Sequence, residues 1–294
     1  MSYGKRRTPN LRITDEGRDI GSRRRVALIR LRFRPSFLFR DRMDFKAYLQ
    51  RIGLDAVDLR PDRESLRILQ RSHLLNIPFE NLDIHRKRPI IIDVDKFFEK
   101  IVSGNRGGFC YELNGLFNEL LRHLGFKTRL ISARVFNGKE HGPEFDHAAI
   151  LVDIDGEIYL ADVGFGEFMA EPLRFVTGEV QSDATGLFSI EELEDGSFEV
   201  RKKNGDEWVS QYVFQDKERE LAEFAEMCDF QQYSPDSHFT KKKVCSIMTA
   251  EGRKTLTDAK FIITSAGTRT ETPVAGESEF DRILADEFGI GKIQ

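Results

Sequence analysis

From residue 43 to about residue 125, apolar residues recur at helical spacing. Phe45, Tyr48, Leu49 and Ile52 stand at i, i+3, i+4 and i+7, one face of an amphipathic helix. A second helix is expected from about Pro61-Asp62 to just before Pro78, with Leu66, Leu69 and Leu74 turned inward. Asp95 reads as the cap of a third, which carries Phe98, Ile101 and Val102 and stops at Gly104. A fourth spans about 109–124 and buries Leu113, Leu116, Phe117, Leu120, Leu121 and Leu124, with Gly125 in the left-handed position that ends helices. Beyond Gly125 the pattern turns strand-like: 127–136, 147–152 and 157–163, then 186–193, 197–202 and 207–214. Asp155-Gly156, Asp195-Gly196 and Asn204-Gly205 are the hairpin turns between them. The charged stretch 217–227 reads as helical, and 244–249 and 254–265 as β-rich. Ser278 is expected to cap a closing helix that buries Phe280, Ile283, Leu284 and Phe288. The order is helices, a β region, then a smaller mixed unit, which suits two or three structural units in 294 residues.

Composition narrows the class. No run approaches the roughly 18 apolar residues of a membrane span. Three widely spaced cysteines make neither a disulfide scaffold nor a CxxC zinc pair. A soluble, intracellular, cytoplasmic protein is expected. The net charge of −4 conceals an asymmetry: residues 1–42 hold 13 lysines and arginines against four acids, leaving that segment at +9 and the rest of the chain at −13. Such an arm suits nucleic-acid binding or targeting. It equally suits a disordered or non-native extension, and no nucleic-acid-binding motif accompanies Phe33, Phe37 and Phe39 among its arginines.

Three residues carry candidate chemistry. Cys110 follows Arg106-Gly107-Gly108-Phe109 and opens the fourth helix, where unpaired N–H groups and the positive dipole end favour thiolate over thiol. If Asp155-Gly156 forms a two-residue turn, Asp162 lies opposite Ala149, diagonal to His147 on the same sheet face and within reach of it; a three-residue turn would separate them. Ala148, Ile150, Val152, Tyr159, Ala161 and Val163 then line the other face, so Asp162 sits in a buried strand and needs a partner. Taken singly, each of the three more often has a packing or structural role. Cys228 and Cys245 read as packing residues, and no histidine pair has metal-ligand spacing. The glycines of Val163-Gly164-Phe165-Gly166 suit a phosphate contact or a plain turn, and Arg106 either a surface cation or a clamp on Glu80.

The segment Arg106-Gly107-Gly108-Phe109-Cys110-Tyr111-Glu112-Leu113-Asn114 closely resembles the RGGxCxELN signature of the arylamine N-acetyltransferases. Ile77-Pro78-Phe79-Glu80-Asn81-Leu82, Phe145-Asp146-His147 and Asp162-Val163-Gly164-Phe165-Gly166 resemble further segments of that family, and the separations within Cys110, His147 and Asp162 suit its triad. The resemblance implies an α+β fold with a cysteine-protease-like triad. A helical bundle would span 43–125, a β-barrel 126–235 and an α/β lid 236–294, while residues 1–42 have no counterpart. It also implies a ping-pong acetyl transfer from acetyl-CoA through an acetyl-cysteine to an arylamine, arylhydroxylamine or hydrazine, in the metabolism of foreign compounds. Cys110 would be the nucleophile, His147 its base and Asp162 the orienting acid. Gly164, Phe165 and Gly166 would approach the cofactor, Phe79 and Phe165 would line the acceptor pocket, and Arg106 and Glu80 would support the site. No metal, nucleic acid or membrane is implied, and a monomer or weak homo-oligomer is expected. A cysteine hydrolase or transglutaminase-like acyl transferase uses the same order of residues and is the alternative.

Overall fold

The computed structural model describes residues 43–55 and 58–293; the basic extension lies outside the described residues. The helical part opens with α1 (Phe45–Arg51) and α2 (Arg63–Asn76), capped by the carboxylates of Asp44 and Asp62, which accept from Ala47 and Ser65 N–H. A two-residue strand β1 (Phe79–Glu80) and the short helices α3 (Leu82–His85) and α4 (Val94–Phe98) follow. Asp93, not Asp95, caps α4: its extended backbone lets the carboxylate turn back to Lys96 N–H at 3.1 Å, whereas Asp95 is already inside the first turn. A π-turn over Glu99–Ser103 ends at Gly104, and α5 (Cys110–His123) runs through the centre with nearly every residue of its first three turns buried.

The central strands are β2 (Lys127–Val135), β3 (His147–Ile154), β4 (Glu157–Ala161), β5 (Leu173–Arg174), β6 (Gln181–Asp183), β7 (Gly186–Glu192), β8 (Phe198–Asn204) and β9 (Glu207–Phe214). They form one antiparallel sheet in the order β5-β4-β3-β2-β9-β8-β7-β6. It curls until Thr177, just past β5, bridges Ile190 on β7, which nearly closes a barrel. The barrel interior holds Leu151, Leu160, Phe188, Ile190, Tyr212 and Phe214. The outer face of β3 and β4, with Ala148, Ile150, Val152, Tyr159, Ala161 and Val163, packs into the helical core. Ile154 pairs with Glu157 and Ile150 with Ala161, so Asp155-Gly156 is the expected two-residue turn, with positive φ at both positions.

The 217–227 stretch becomes helical only from residue 221, as a 3₁₀ turn (Leu221–Phe224) leading into α6 (Ala225–Tyr233); the Glu223 carboxylate accepts from Glu220 N–H and holds the start there. The last unit is a meander of β10 (Val244–Thr249), β11 (Gly252–Thr257), β12 (Lys260–Ser265) and β13 (Thr268–Pro273), covered by α7 (Glu277–Phe288). The expected 254–265 segment is thus two strands turned at Asp258-Ala259. Gly276, at φ +91°, precedes α7 and takes the cap position expected of Ser278, which lies inside the helix. The helical part also lends a strand to this sheet, β1 pairing with β10 through Phe79–Ser246 and Glu80–Cys245. Two residues are too few to show a period, so β1 has no signature of its own. Among the described residues no helix is long and apolar enough to cross a membrane.

Candidate active site

The segment before α5 is held by contacts that account for its composition residue by residue. An ideal Cβ on Gly107 would stand 2.1 Å from the Pro78 carbonyl oxygen, so the chain passes β1 only as glycine. Gly108 pairs there, its carbonyl accepting from Glu80 N–H at 2.8 Å, and Phe109 N–H donates to the Glu112 carboxylate at 3.1 Å, which closes the first turn. Arg106 donates to Glu80 at 2.6 Å and to Asp83 at 3.0 Å. Lys100 reaches Glu112 at 2.8 Å and Asp83 at 2.9 Å. Burial opposes the charge on Lys100, but Glu112, Glu80 and Asp83 outweigh it and hold the ammonium above its ordinary range. Arg106 and Glu80 therefore form an ion-pair network behind the helix start; neither lines the cavity in front of it.

That cavity, about 240 Å³, is lined by Cys110, His147, Asp146, Gly164, Phe165, Phe79, Val135, His238 and Phe239. His147 Nε2 lies 2.7 Å from Asp162 Oδ2. The carboxylate accepts the Nε2 hydrogen, which leaves the lone pair of the neutral ring on Nδ1. Asp162 also accepts from Gly164 N–H and Asn114 Nδ2, each at 2.8 Å, and from the Tyr212 hydroxyl at 3.4 Å. Its own N–H donates to Gln70. Asn114, one turn along from Cys110, accepts from Val163 N–H at 2.9 Å and donates to the Ala148 carbonyl at 2.6 Å. It thereby ties the helix that carries Cys110 to β3, which carries His147, and to the segment after β4, which carries Asp162. Asn114, Gln70 and Tyr212 were missed as site residues in the sequence. For Asn114 there was a signal, the i, i+4 spacing from Cys110 on one helix face; for the others none.

Cys110 stands at the expected helix start. Burial, reinforced by Asp146, Cys228 and Asp162, pushes its thiol well up; the Ala148 N–H on the His147 strand draws it only partly back. Burial thus opposes the thiolate that the helix terminus favours. Among the described residues no group of three or more His, Cys, Asp or Glu side chains is placed to hold a metal ion.

A family profile described as N-acetyltransferase matches residues 62–292. The arylamine N-acetyltransferase pineal gland isozyme NAT-10 of Gallus gallus is 30% identical over 274 residues, covering 84% of this chain and 94% of that protein. The chain belongs to the arylamine N-acetyltransferase family. Its fold agrees: the arylamine N-acetyltransferase of Salmonella typhimurium superposes with a TM-score of 0.80 at 30% identity, over 86% of this chain and 93% of that one. The structure of Mycobacterium marinum arylamine N-acetyltransferase in complex with CoA superposes at 0.78 and 29% identity, over 84% and 93%. The chain is accordingly an acyltransferase of that family, with the family's α+β architecture.

Of the residues expected to approach a cofactor, Phe165 and Gly164 line the cavity of this acetyltransferase, Phe165 edge-on to the His147 ring at 5.2 Å. The missing side chain of Gly164 is explained by the helix: a Cβ there would meet Cys110 Cα at 2.8 Å and Asn114 Nδ2 at 2.6 Å. Gly166 faces open space and is glycine for its φ of +92°. Gly164→Ala is expected to cost about 1–3 kcal/mol by overpacking and to displace Cys110 from Asp162. Gly166→Ala should cost about 1 kcal/mol and leave the cluster in place. Denaturant melts of the two variants, read beside their acetyl-transfer rates, separate these outcomes.

Proposed function

We propose that the chain acetylates arylamines, arylhydroxylamines or hydrazines with acetyl-CoA by a ping-pong mechanism through an acetyl-Cys110. The observation that carries the proposal is the 2.7 Å contact of His147 Nε2 with Asp162, made while His147 and Cys110 line one cavity. Proton transfer from the Cys110 thiol to Nδ1 creates a thiolate–imidazolium pair inside the protein rather than a lone buried anion. This route suits a thiol whose ionisation burial opposes. Asp162 balances the imidazolium and keeps the ring turned. The thiolate attacks the thioester carbonyl, and the first-turn N–H groups of α5, which lack intrahelical partners, face the developing oxyanion. Collapse expels the CoA sulfur, which takes the proton from His147. The acceptor amine then attacks the acetyl-cysteine, its proton passes to His147, and the Cys110 thiolate leaves.

The cavity size supports an aromatic acceptor: about 150 Å³ admits a benzene ring, and about 240 Å³ leaves room for the acetyl group as well. Phe79, Phe165 and Phe239 offer faces and edges against which such a ring stacks. The test is mass spectrometry after mixing with acetyl-CoA in the absence of acceptor. A gain of about 42 Da on the peptide that contains Cys110, discharged by adding an arylamine, is expected. Steady release of acetate with no dependence on amine would instead mark a hydrolase.

A further inference from the structure

Two titratable side chains line the reacting cavity and take no part in the Cys110–His147–Asp162 set: Asp146 and His238. His238 is exposed and lies against the Phe239 ring at 4.7 Å. Asp146 is half-buried and closely held. Its Oδ1 accepts from Gln231 Nε2 at 2.6 Å, and Gln231 Oε1 accepts in turn from the Ser237 hydroxyl at 2.6 Å. Ser237 caps the short 3₁₀ turn (His238–Thr240) that brings His238 and Phe239 to the cavity, so this relay joins that turn to the start of β3. The backbone is fixed as well. The Tyr111 hydroxyl, from the residue after Cys110, donates to the Phe145 carbonyl at 2.7 Å and to that of Asp146 at 3.4 Å. Phe145 itself is held at φ +66°, a left-handed conformation that bulky residues avoid. Strain of this kind persists only where surrounding contacts impose it, and here it sets the direction in which the chain delivers Asp146.

A carboxylate in this place works against the first half of the reaction. After burial, Asp146 is the strongest influence raising the Cys110 thiol, ahead of Asp162. The same charge suits the second half, in which the nitrogen of a neutral amine becomes positive as it attacks. A carboxylate offers about four acceptor positions, and Gln231 and the Val135 N–H occupy two of those on Asp146. We infer that Asp146 is a further catalytic residue: its carboxylate accepts one N–H of a primary amine or hydrazine and balances the positive charge that grows on the attacking nitrogen. The inference rests on the ping-pong reading of the site. In this step the nitrogen lone pair bonds to the acetyl carbon, and the C–S bond breaks with its electrons going to the Cys110 sulfur. The one proton released goes to His147, while the hydrogen that faces Asp146 stays on the product amide. With an acceptor filling a cavity of about 240 Å³, little water remains to solvate the growing charge, and a fixed negative group takes its place.

The experiment separates the two half-reactions in Asp146→Asn and Asp146→Ser. Rapid mixing with acetyl-CoA alone, followed by CoA release and intact mass, reads formation of the acetyl-enzyme. Adding a primary arylamine to the isolated acetyl-enzyme reads its discharge. With the charge gone the Cys110 thiol ionises more readily, so acetylation should match the parent or exceed it by up to about tenfold. Discharge should fall about 10–100-fold, mainly in the rate at saturating amine. That lies at or below the effect of losing an oxyanion-hole donor, because Asp146 is only half-buried. Asparagine keeps an oxygen for Gln231, and undiminished acetylation certifies the fold of either variant. Discharge at the parental rate would overturn the assignment, as would equal slowing of both halves, the mark of a merely structural support. A parent protein that forms no acetyl-cysteine, or loses it to water regardless of amine, would overturn the ping-pong reading and this inference together. Insensitive variants of a working two-step enzyme would overturn the inference alone.

Discussion

Cys110→Ala is expected to abolish acetyl transfer, a loss of about 10⁴-fold or more, with no acetyl adduct on the protein. The size of the effect follows from the chemistry: with the sulfur gone, no other thiol or hydroxyl lines the cavity among the described residues. Cys228 and Cys245 are buried elsewhere, Cys228 against Ile90 and Gln232 and Cys245 within the core beneath α7. Cys228→Ala and Cys245→Ala should therefore retain the adduct. The fold should survive the Cys110 change, because the sulfur is replaced by a methyl beside an existing cavity, and a melting temperature within a few degrees of the parent is expected. Steady-state transfer and intact mass measure both halves. Turnover comparable to the parent would remove Cys110 from the mechanism.

Asp162→Asn is expected to have the second large effect, a loss of about 10³–10⁴-fold in kcat with folding weakened by about 1–3 kcal/mol. Four donors converge on this carboxylate: Gly164 N–H, Asn114 Nδ2, His147 Nε2 and the Tyr212 hydroxyl. An amide has one accepting oxygen. If that oxygen keeps Gly164 and Asn114, its NH₂ group meets His147 and donates to Nε2. The ring hydrogen then moves to Nδ1, and the nitrogen left to face the cavity is no longer a base. If the amide turns the other way, the tautomer is kept while NH₂ opposes the Gly164 and Asn114 donors, and the link between α5 and the end of β4 loosens. Kinetics of acetyl-enzyme formation and a thermal melt read the two consequences separately. Full activity would show that nothing depends on the orientation of His147 by this carboxylate.

Much of the site was legible before any coordinates, and the reasons are local. The His147–Asp162 contact followed from one turn: positive φ at Asp155 and Gly156 sets a two-residue hairpin, and pairing then places every residue of β3 and β4 on a known face. Cys110 at a helix start followed from the periodicity of α5 and the glycines before it. The boundaries that failed are those where several candidates competed within a turn, as with Asp93 and Asp95 or Gly276 and Ser278. There the deciding quantity is one backbone angle, which residue type constrains weakly.

What the sequence by itself determined is whatever depends on neighbours a few positions away: which face of each helix is apolar, where α5 begins, and the register of the hairpin. Tertiary structure alone decided two further things. Burial raises the Cys110 thiol against the pull of its helix start, and Gly164 is bare because the Cys110 backbone fills the space. Each of these is a matter of desolvation or of distance between segments far apart in the chain. Apolar periodicity and turn chemistry report neither, since they encode the direction a side chain takes from its own backbone and not what it meets there.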